Sequence, residues 1–139
     1  MKAALSLSCL LTALTIAGAA QAAPDPAEGE WLPPGDKAKV RIAPCEVHRD
    51  RLCGTIVWLK TPKLDAHNPD PKLRNRPIIG MPFLSGFKRD AVGRWSSGTI
   101  YDPEGGKTYD SKFQVAPNGT LKLDGCVLMF CRSQTWRRP

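Results

Sequence analysis

Short β-prone runs separated by turn-forming residues recur along most of the chain. The alternation is clearest over 107–115, where Tyr109, Ser111, Phe113 and Val115 lie on one face of an extended strand. A period of two is typical of a strand that buries one face. The same reasoning predicts strands at 39–43, 52–59, 78–87, 94–101, 107–115, 121–124 and 133–137.

Proline, glycine and asparagine mark the connections between these runs. Asn118-Gly119 is the strongest hairpin signal, because both residues accept a positive φ. Four prolines between 60 and 77 exclude a regular strand and predict one long loop. With no sustained helical period, the sequence predicts an all-β fold: a small up-and-down antiparallel β-barrel with one long Pro-rich loop. A barrel of about eight strands is either filled by side chains or holds one small ligand.

The amino-terminal segment has the layout of a secretory signal. Lys2 is followed by an uncharged, mostly apolar run to Ala20, which ends in small residues. We predict cleavage after Ala22, so that 1–22 is a signal peptide. A membrane anchor is disfavoured because serine and threonine interrupt the run, and a lipoprotein because Cys9 lies in its middle.

Cleavage would leave a basic protein of domain size. The whole chain has 139 residues and a formal net charge of +7, and the loss of Lys2 would bring that charge to +6. We expect a flexible leader over 23–28 and a single domain over 29–139, periplasmic or secreted, without stable membrane insertion. The basic residues are spread along the chain, and export separates the protein from nucleic acid, so no nucleic-acid partner is expected.

The four cysteines beyond the signal form two close pairs, Cys45 with Cys53 and Cys126 with Cys131. Four cysteines allow three connectivities, and disulfides are the default in an oxidising compartment. We favour the local pairing, although loop entropy does not exclude a crossed pairing. The spacings match neither zinc sites nor the Cys-x-x-Cys of redox enzymes, so no metal and no cofactor are expected.

Gly29-Glu30-Trp31 precedes the first predicted strand and resembles the Gly-x-Trp opening of lipocalins. In lipocalins the tryptophan plugs the barrel floor and a late arginine packs over it. The resemblance therefore implies barrel-floor packing by Trp31, Trp136 and Arg137, with a cation–π contact.

A longer set of motifs covers nearly all of the predicted domain. The motifs include Val40-Arg41-Ile42, Leu52-Cys53-Gly54-x-Ile56-Val57-Trp58-Leu59, Asp65-x-x-Asn68-Pro69-Asp70-x-x-Leu73-Arg74-x-Arg76-Pro77, Trp95-x-x-Gly98-x-Ile100-Tyr101-Asp102-Pro103 and Gln134-Thr135-Trp136-x-Arg138. On these motifs the chain resembles the bacterial family DUF2147, a domain of unknown function, from about Gly29 to Arg138. The resemblance implies an exported lipocalin-like β-barrel and no established activity.

The residues favour ligand binding over catalysis. Aromatic side chains inside a barrel, together with arginines of the long loop, suit a small amphipathic ligand such as a fatty acid. The ligand-binding candidates are Trp58, Arg74, Arg76, Trp95, Tyr101, Tyr109 and Phe113. The alternative is a solid barrel that serves as a structural or interaction module of the envelope and binds a protein or glycan on its outer face.

No catalytic residue is predicted. Asp65 and Asp102 are available carboxylates, but the sequence has no nucleophile elbow, phosphate loop or zinc-binding helix. An envelope hydrolase is a third hypothesis, in which replacement of either aspartate would abolish activity without unfolding the protein.

Overall fold

The computed structural model describes residues 17–139. Residues 1–16, which hold most of the predicted signal peptide (1–22) together with Cys9, lie outside the described residues. Among residues 17–139, no helix has both the length and the apolar character of a membrane span. The elements are β1 (Gly29–Trp31), β2 (Ala38–Pro44), β3 (Arg51–Leu59), a 3₁₀ helix (Pro71–Leu73), β4 (Pro82–Arg89), β5 (Trp95–Asp102), β6 (Lys107–Val115), β7 (Leu121–Val127) and β8 (Phe130–Trp136).

The eight strands form one antiparallel sheet in which each strand pairs with its neighbours in sequence. This arrangement confirms the predicted all-β, up-and-down architecture with one long Pro-rich connection. On β6, Ser111 and Phe113 are buried while Lys112 is exposed, as the alternation predicts. The strand predicted over 78–87 begins later, at Pro82, because residues 78–81 form a turn.

Both disulfides join neighbouring strands and confirm the local pairing. Cys45–Cys53 ties the end of β2 to β3, and Cys126–Cys131 joins directly opposed residues of β7 and β8. Because successive strands run in opposite directions, the two disulfides lie at opposite ends of the barrel. We call the end with Cys45–Cys53 the lower end and the end with Cys126–Cys131 the upper end.

The first and last strands meet through one backbone pair. Leu32 follows β1 and Arg137 follows β8, and their main chains exchange hydrogen bonds of 2.8 and 3.1 Å. Since β1 has only three residues, the rest of β8 pairs with β7 alone within residues 17–139. The strands therefore form a half-barrel that is closed in its lower part and open along one side above it.

Large side chains fill the lower end. Trp31 and Trp136 are fully buried there. The ring centroids of Phe87 and Phe113 are 4.7 Å apart, and those of Trp95 and Phe113 are 6.4 Å apart. These aromatic side chains belong to one core cluster that fills the lower end. Burial of each such side chain stabilises the fold by roughly 1.5–3 kcal/mol.

The arginine that packs over Trp31 is Arg138, which corrects the predicted Arg137. The Arg138 guanidinium lies 3.7 Å from the Trp31 ring centroid and donates to two backbone oxygens at 2.7 and 3.2 Å. Arg137 instead pairs with the exposed Asp36 at 2.6 Å. Alternation along the strand explains the difference, because Arg138 shares the face of Trp136 two residues earlier and Arg137 lies on the other face.

Gly29 provides the room for this arginine. An added Cβ would lie 2.8 Å from the Arg138 Nη1 atom, and the φ of Gly29 is +108°. L side chains rarely adopt this backbone conformation. The backbone conformation thus favours glycine at the first position of the Gly-x-Trp motif, and the missing side chain leaves room for the Arg138 guanidinium.

The segment predicted to be a flexible leader, 23–28, packs against the lower end from Asp25 onward. Ala27 is fully buried, and its carbonyl oxygen accepts a 2.8 Å hydrogen bond from Trp31 Nε1. Asp25 accepts from Trp95 Nε1 at 3.2 Å and pairs with Arg89. Buried indole N–H groups need acceptors, and this segment supplies them.

We predict that Arg138→Ala lowers the free energy of unfolding by about 1–2 kcal/mol, because it removes the cation–π contact and two hydrogen bonds. Arg137→Ala, the matched control, removes an exposed ion pair and should cost less than about 1 kcal/mol. Urea unfolding monitored by tryptophan fluorescence measures both. Equal losses, or a larger loss for Arg137→Ala, would contradict the assignment.

Candidate functional site

A cavity of about 1500 Å³ occupies the upper part of the half-barrel. Its wall is aliphatic, and its base includes Phe83, whose ring stacks on Trp136 with centroids 6.2 Å apart. The buried residues of the wall come from five different segments: Val40, Ile56, Ile78, Ile100 and Leu123. The barrel is thus solid at its lower end and hollow above it.

The rim of the cavity carries more positive than negative side chains. Lys37, Lys60, Lys63 and Arg132 line it, together with Asp102 and Glu104. Lys63 pairs with Glu104, whereas Lys37, Lys60 and Arg132 form no ion pair with other described residues. An apolar wall below a cationic rim is complementary to an amphipathic anion.

The long loop between β3 and β4 is anchored beside the cavity by a buried carboxylate. Asp65 is fully buried. Its oxygens accept hydrogen bonds from Tyr101 Oη at 2.7 Å, Asn68 Nδ2 at 2.7 Å and Arg76 Nε at 2.9 Å. Tyr101 belongs to β5, so this network ties the loop to the barrel wall.

The same network sets the protonation of both acids. Burial by itself would raise the pKa of Asp65, but the hydrogen bonds from Tyr101, Asn68 and Arg76 and the Arg76 charge outweigh it and hold the pKa below its ordinary 3.8. Burial, and then the neighbouring Asp65 carboxylate, raise the pKa of Tyr101 to about 12. At neutral pH Tyr101 is therefore a hydrogen-bond donor and Asp65 an ionised acceptor.

The loop also rests on the turn between β5 and β6. His67 Nδ1 donates to the backbone oxygen of Glu104 at 2.8 Å. An added Cβ at Gly106 would lie 1.9 Å from the His67 carbonyl oxygen, so the turn and the loop are in direct backbone contact. These contacts hold one side of the cavity mouth in place.

The structure divides the seven predicted ligand-binding residues into four groups. Tyr101 and Tyr109 line the cavity. Trp95 and Phe113 lie in the solid core at the lower end, outside the cavity lining. Of these four residues, only the two tyrosines are placed to contact a molecule in the cavity.

Trp58 lies on the outer surface, 40% exposed, with Lys39 Nζ 6.0 Å from its ring centroid. A β-bulge explains its position, because Lys39 pairs with Trp58 and the next residue, Val40, pairs with Ile56. The extra residue on β3 reverses the alternation, so Trp58 turns outward and the following Leu59 lines the cavity.

The two loop arginines are engaged within the loop. Arg76 pairs with Asp65 at 2.9 Å, and Arg74 Nε donates to the Asn68 carbonyl oxygen at 2.8 Å. Neither lines the cavity. Their ligand-binding role stays a prediction, and the cations at the rim are other residues.

Lys37, Lys60 and Arg132 are the rim cations that sequence reasoning missed. A usable signal existed: in an up-and-down barrel the first, third, fifth and seventh connections lie at the same end. Lys37 and Lys60 belong to the first and third connections, and Arg132 lies two residues after the start of β8. Connection parity places all three at the upper end, together with Arg74 and Arg76 of the third connection, which do not line the cavity.

The aspartates considered for hydrolysis have structural partners. Asp65 holds the loop, and Asp102 accepts a 2.9 Å hydrogen bond from the Glu104 backbone in the turn after β5. Within residues 17–139, no group of three His, Cys, Asp or Glu side chains is arranged to hold a metal ion.

We predict that Asp65→Asn lowers the free energy of unfolding by about 2–3 kcal/mol at neutral pH, since Arg76 loses its buried counter-charge. The pKa of Asp65 is lowered from 3.8, so its stabilisation is complete above that pH and is lost as pH falls through the still lower folded value. Urea unfolding between pH 7 and pH 3 measures this. Asp110→Asn, on the exposed face of β6, is the control, and an equal loss in both variants would contradict the assignment.

Comparisons with known proteins agree with this geometry. The structure is similar to that of a Helicobacter pylori protein described as belonging to the lipocalin family, with a TM-score of 0.70 and 25% sequence identity over 81% of this chain and 82% of that chain. No curated protein is significantly similar in sequence. The family described as uncharacterized proteins conserved in bacteria, DUF2147, matches residues 29–138. The chain therefore belongs to the DUF2147 family.

Proposed function

We propose that the protein binds or carries a small amphipathic ligand of the fatty-acid type in the cell envelope. The observation that carries the proposal is the cavity of about 1500 Å³ with an aliphatic wall and a cationic rim. Ligand pockets for small molecules are mostly apolar with a few placed polar groups. A lipocalin-like fold is compatible with such a ligand, and the cavity supplies the space for it.

The wall and the rim would recognise different parts of the ligand. Each methylene group that leaves water for the aliphatic wall contributes about 0.8 kcal/mol. A carboxylate at the mouth would lie near Lys37 and Lys60, whose connections are joined by a 2.8 Å backbone hydrogen bond between Lys60 N and Lys37 O. Tyr101 and Tyr109 add to the polar part of the lining.

Export is part of the same proposal. Residues 1–22 would be removed as a signal peptide, and the single domain would act in the periplasm or outside the cell. Two disulfides support an oxidising compartment. Mass spectrometry of protein from a bacterial envelope fraction tests the cleavage, and an amino terminus near Ala23 is the expected result.

We predict that Gly125→Phe reduces fatty-acid affinity at least about tenfold. Gly125 lines the cavity, and an added Cβ there meets only Ile100 Cγ2, at 3.6 Å. The Cβ of the new side chain is therefore accommodated, and its ring takes up space in the cavity. Titration of lauric acid against intrinsic tryptophan fluorescence measures the change.

Lys122→Phe is the matched control, because it places the same ring on the exposed face of the same strand. Its affinity for lauric acid should equal that of the wild type. Wild-type protein that binds no fatty acid, or a Gly125→Phe variant that binds as well as wild type, would refute binding in the cavity.

We further predict that the double variant Lys37→Gln/Lys60→Gln weakens lauric acid binding about five- to tenfold and leaves lauryl alcohol binding unchanged. Removal of two cations affects only a charged head group. The pair Lys88→Gln/Lys112→Gln, exposed and away from the cavity, keeps the net charge equal and should change neither. Equal weakening for the acid and the alcohol would contradict head-group recognition at the rim.

A further inference from the structure

The turn between β7 and β8 presents four consecutive apolar side chains to solvent. Val127, Leu128, Met129 and Phe130 are 53%, 92%, 91% and 81% exposed. We call these four residues the apolar tip. Single exposed apolar residues are ordinary, but a contiguous exposed set marks an interaction site.

The apolar character of the tip is not a requirement of the turn. Val127 pairs with Phe130, so Leu128 and Met129 are the two central residues of a tight hairpin. Such positions favour asparagine and glycine, which accept a positive φ. Leu128 has a φ of +53°, a conformation that is strained for a leucine. The sequence keeps a large apolar side chain where a small polar one would be more stable.

A disulfide at the base of the hairpin restrains the backbone of the tip. The Cys126–Cys131 disulfide joins the residues adjacent to Val127 and Phe130 on the two strands. The backbone of the hairpin is therefore largely ordered before any partner binds, so binding loses little further entropy. An apolar partner offers no hydrogen bonds to backbone groups, and the backbone groups of a hairpin are already paired with one another.

Three cationic side chains share the upper end with the tip. Phe130 and Arg132 both line the cavity mouth, as do Lys37 and Lys60. None of these three cations forms an ion pair with other described residues. An apolar tip flanked by unpaired cations is complementary to a surface with anionic groups outside and hydrocarbon beneath.

We propose that the apolar tip inserts into the interface of an anionic lipid membrane and sets the cavity mouth against the lipid surface. The insertion is shallow and reversible, and it differs from a membrane span. A second copy of the chain fits the tip less well, because four side chains bury far less than the about 800 Å² per partner of a stable interface. Membrane binding by the tip does not require a ligand in the cavity, because Leu128 and Met129 do not line it.

Vesicle flotation tests this surface with the exported protein, whose amino terminus is determined by mass spectrometry. Wild-type protein should float with vesicles of equal parts phosphatidylglycerol and phosphatidylcholine and bind phosphatidylcholine vesicles much more weakly. Leu128→Gly/Met129→Asn should lower the partition coefficient at least about tenfold, since two large apolar side chains no longer leave water. Glycine at the first central position suits the positive φ found at Leu128, so this variant should fold at least as well as wild type.

Val92→Asn is the control for the loss of an exposed apolar side chain. Val92 is 71% exposed, but it lies in the turn between β4 and β5 at the lower end. It should bind vesicles as wild type does. Arg132→Gln should weaken binding to the anionic vesicles about fivefold, the effect of one basic residue near a charged surface. Added salt should reduce that difference.

Three results would overturn the proposal. They are no binding by wild-type protein, equal binding by the tip variant, and equal loss in Val92→Asn. Sedimentation velocity on the same samples tests the competing partner, a second copy of the chain. A dimer of the wild type that the tip variant does not form, together with no vesicle binding, would show that the tip contacts a second copy. Lauric acid affinity measured without vesicles should be the same in the tip variant, which separates this result from the proposed cavity function.

Discussion

The backbone pair between Leu32 and Arg137, with Arg138 packed over Trp31 beside it, joins the first and last strands of the described chain. The closing strand β1 has three residues, so this contact can close only the lower part of the barrel. Side chains can meet from all directions there, and the aromatic core forms around Trp31 and Trp136. Above the contact β8 has no second neighbour among the described strands, so the walls stay apart and a cavity results. Solid and hollow parts thus share one cause.

The long Pro-rich loop depends on that open upper end. Its anchor is the Asp65 carboxylate, whose hydrogen bonds to Tyr101 and Arg76 hold the loop against β5. Asp65 and Tyr101 could be taken for catalytic groups from the sequence, but in the structure they hold the loop in place. Their hydrogen bond accompanies a lowered pKa of Asp65 and a pKa of Tyr101 raised to about 12. The loop arginines are engaged in the same way. The cations left facing the cavity mouth are Lys37 on the first connection, Lys60 at the start of the loop and Arg132 on β8.

The two proposed interactions meet at the upper end, where they share the rim cations, while Leu128 and Met129 belong to the apolar tip alone. The cavity wall selects hydrocarbon by burial, while the apolar tip (Val127 to Phe130) has no protein surface to cover it among the described residues. The strained φ of Leu128 and the exposed apolar area both oppose stability and solubility. A membrane interface would cover the tip and place the mouth of the cavity where amphipathic molecules are concentrated. The Cys126–Cys131 disulfide serves both features, because it borders the cavity and supports the tip.

The sequence by itself predicted seven of the eight strands and their meander order, and it favoured the local pairing of the cysteines. Each of these depends on residues near one another in the chain: a period of two, the Asn118-Gly119 turn and short cysteine spacings. The sequence predicted the direction of a side chain only where the alternation of a strand is unbroken. The bulge opposite Lys39 and Val40 breaks it and turns Trp58 outward. Tertiary structure alone decided that Asp65 meets Tyr101, 36 residues away, and that the upper part is hollow. The physical reason is that a cavity depends on how far the sheet closes, which is a property of all eight strands together.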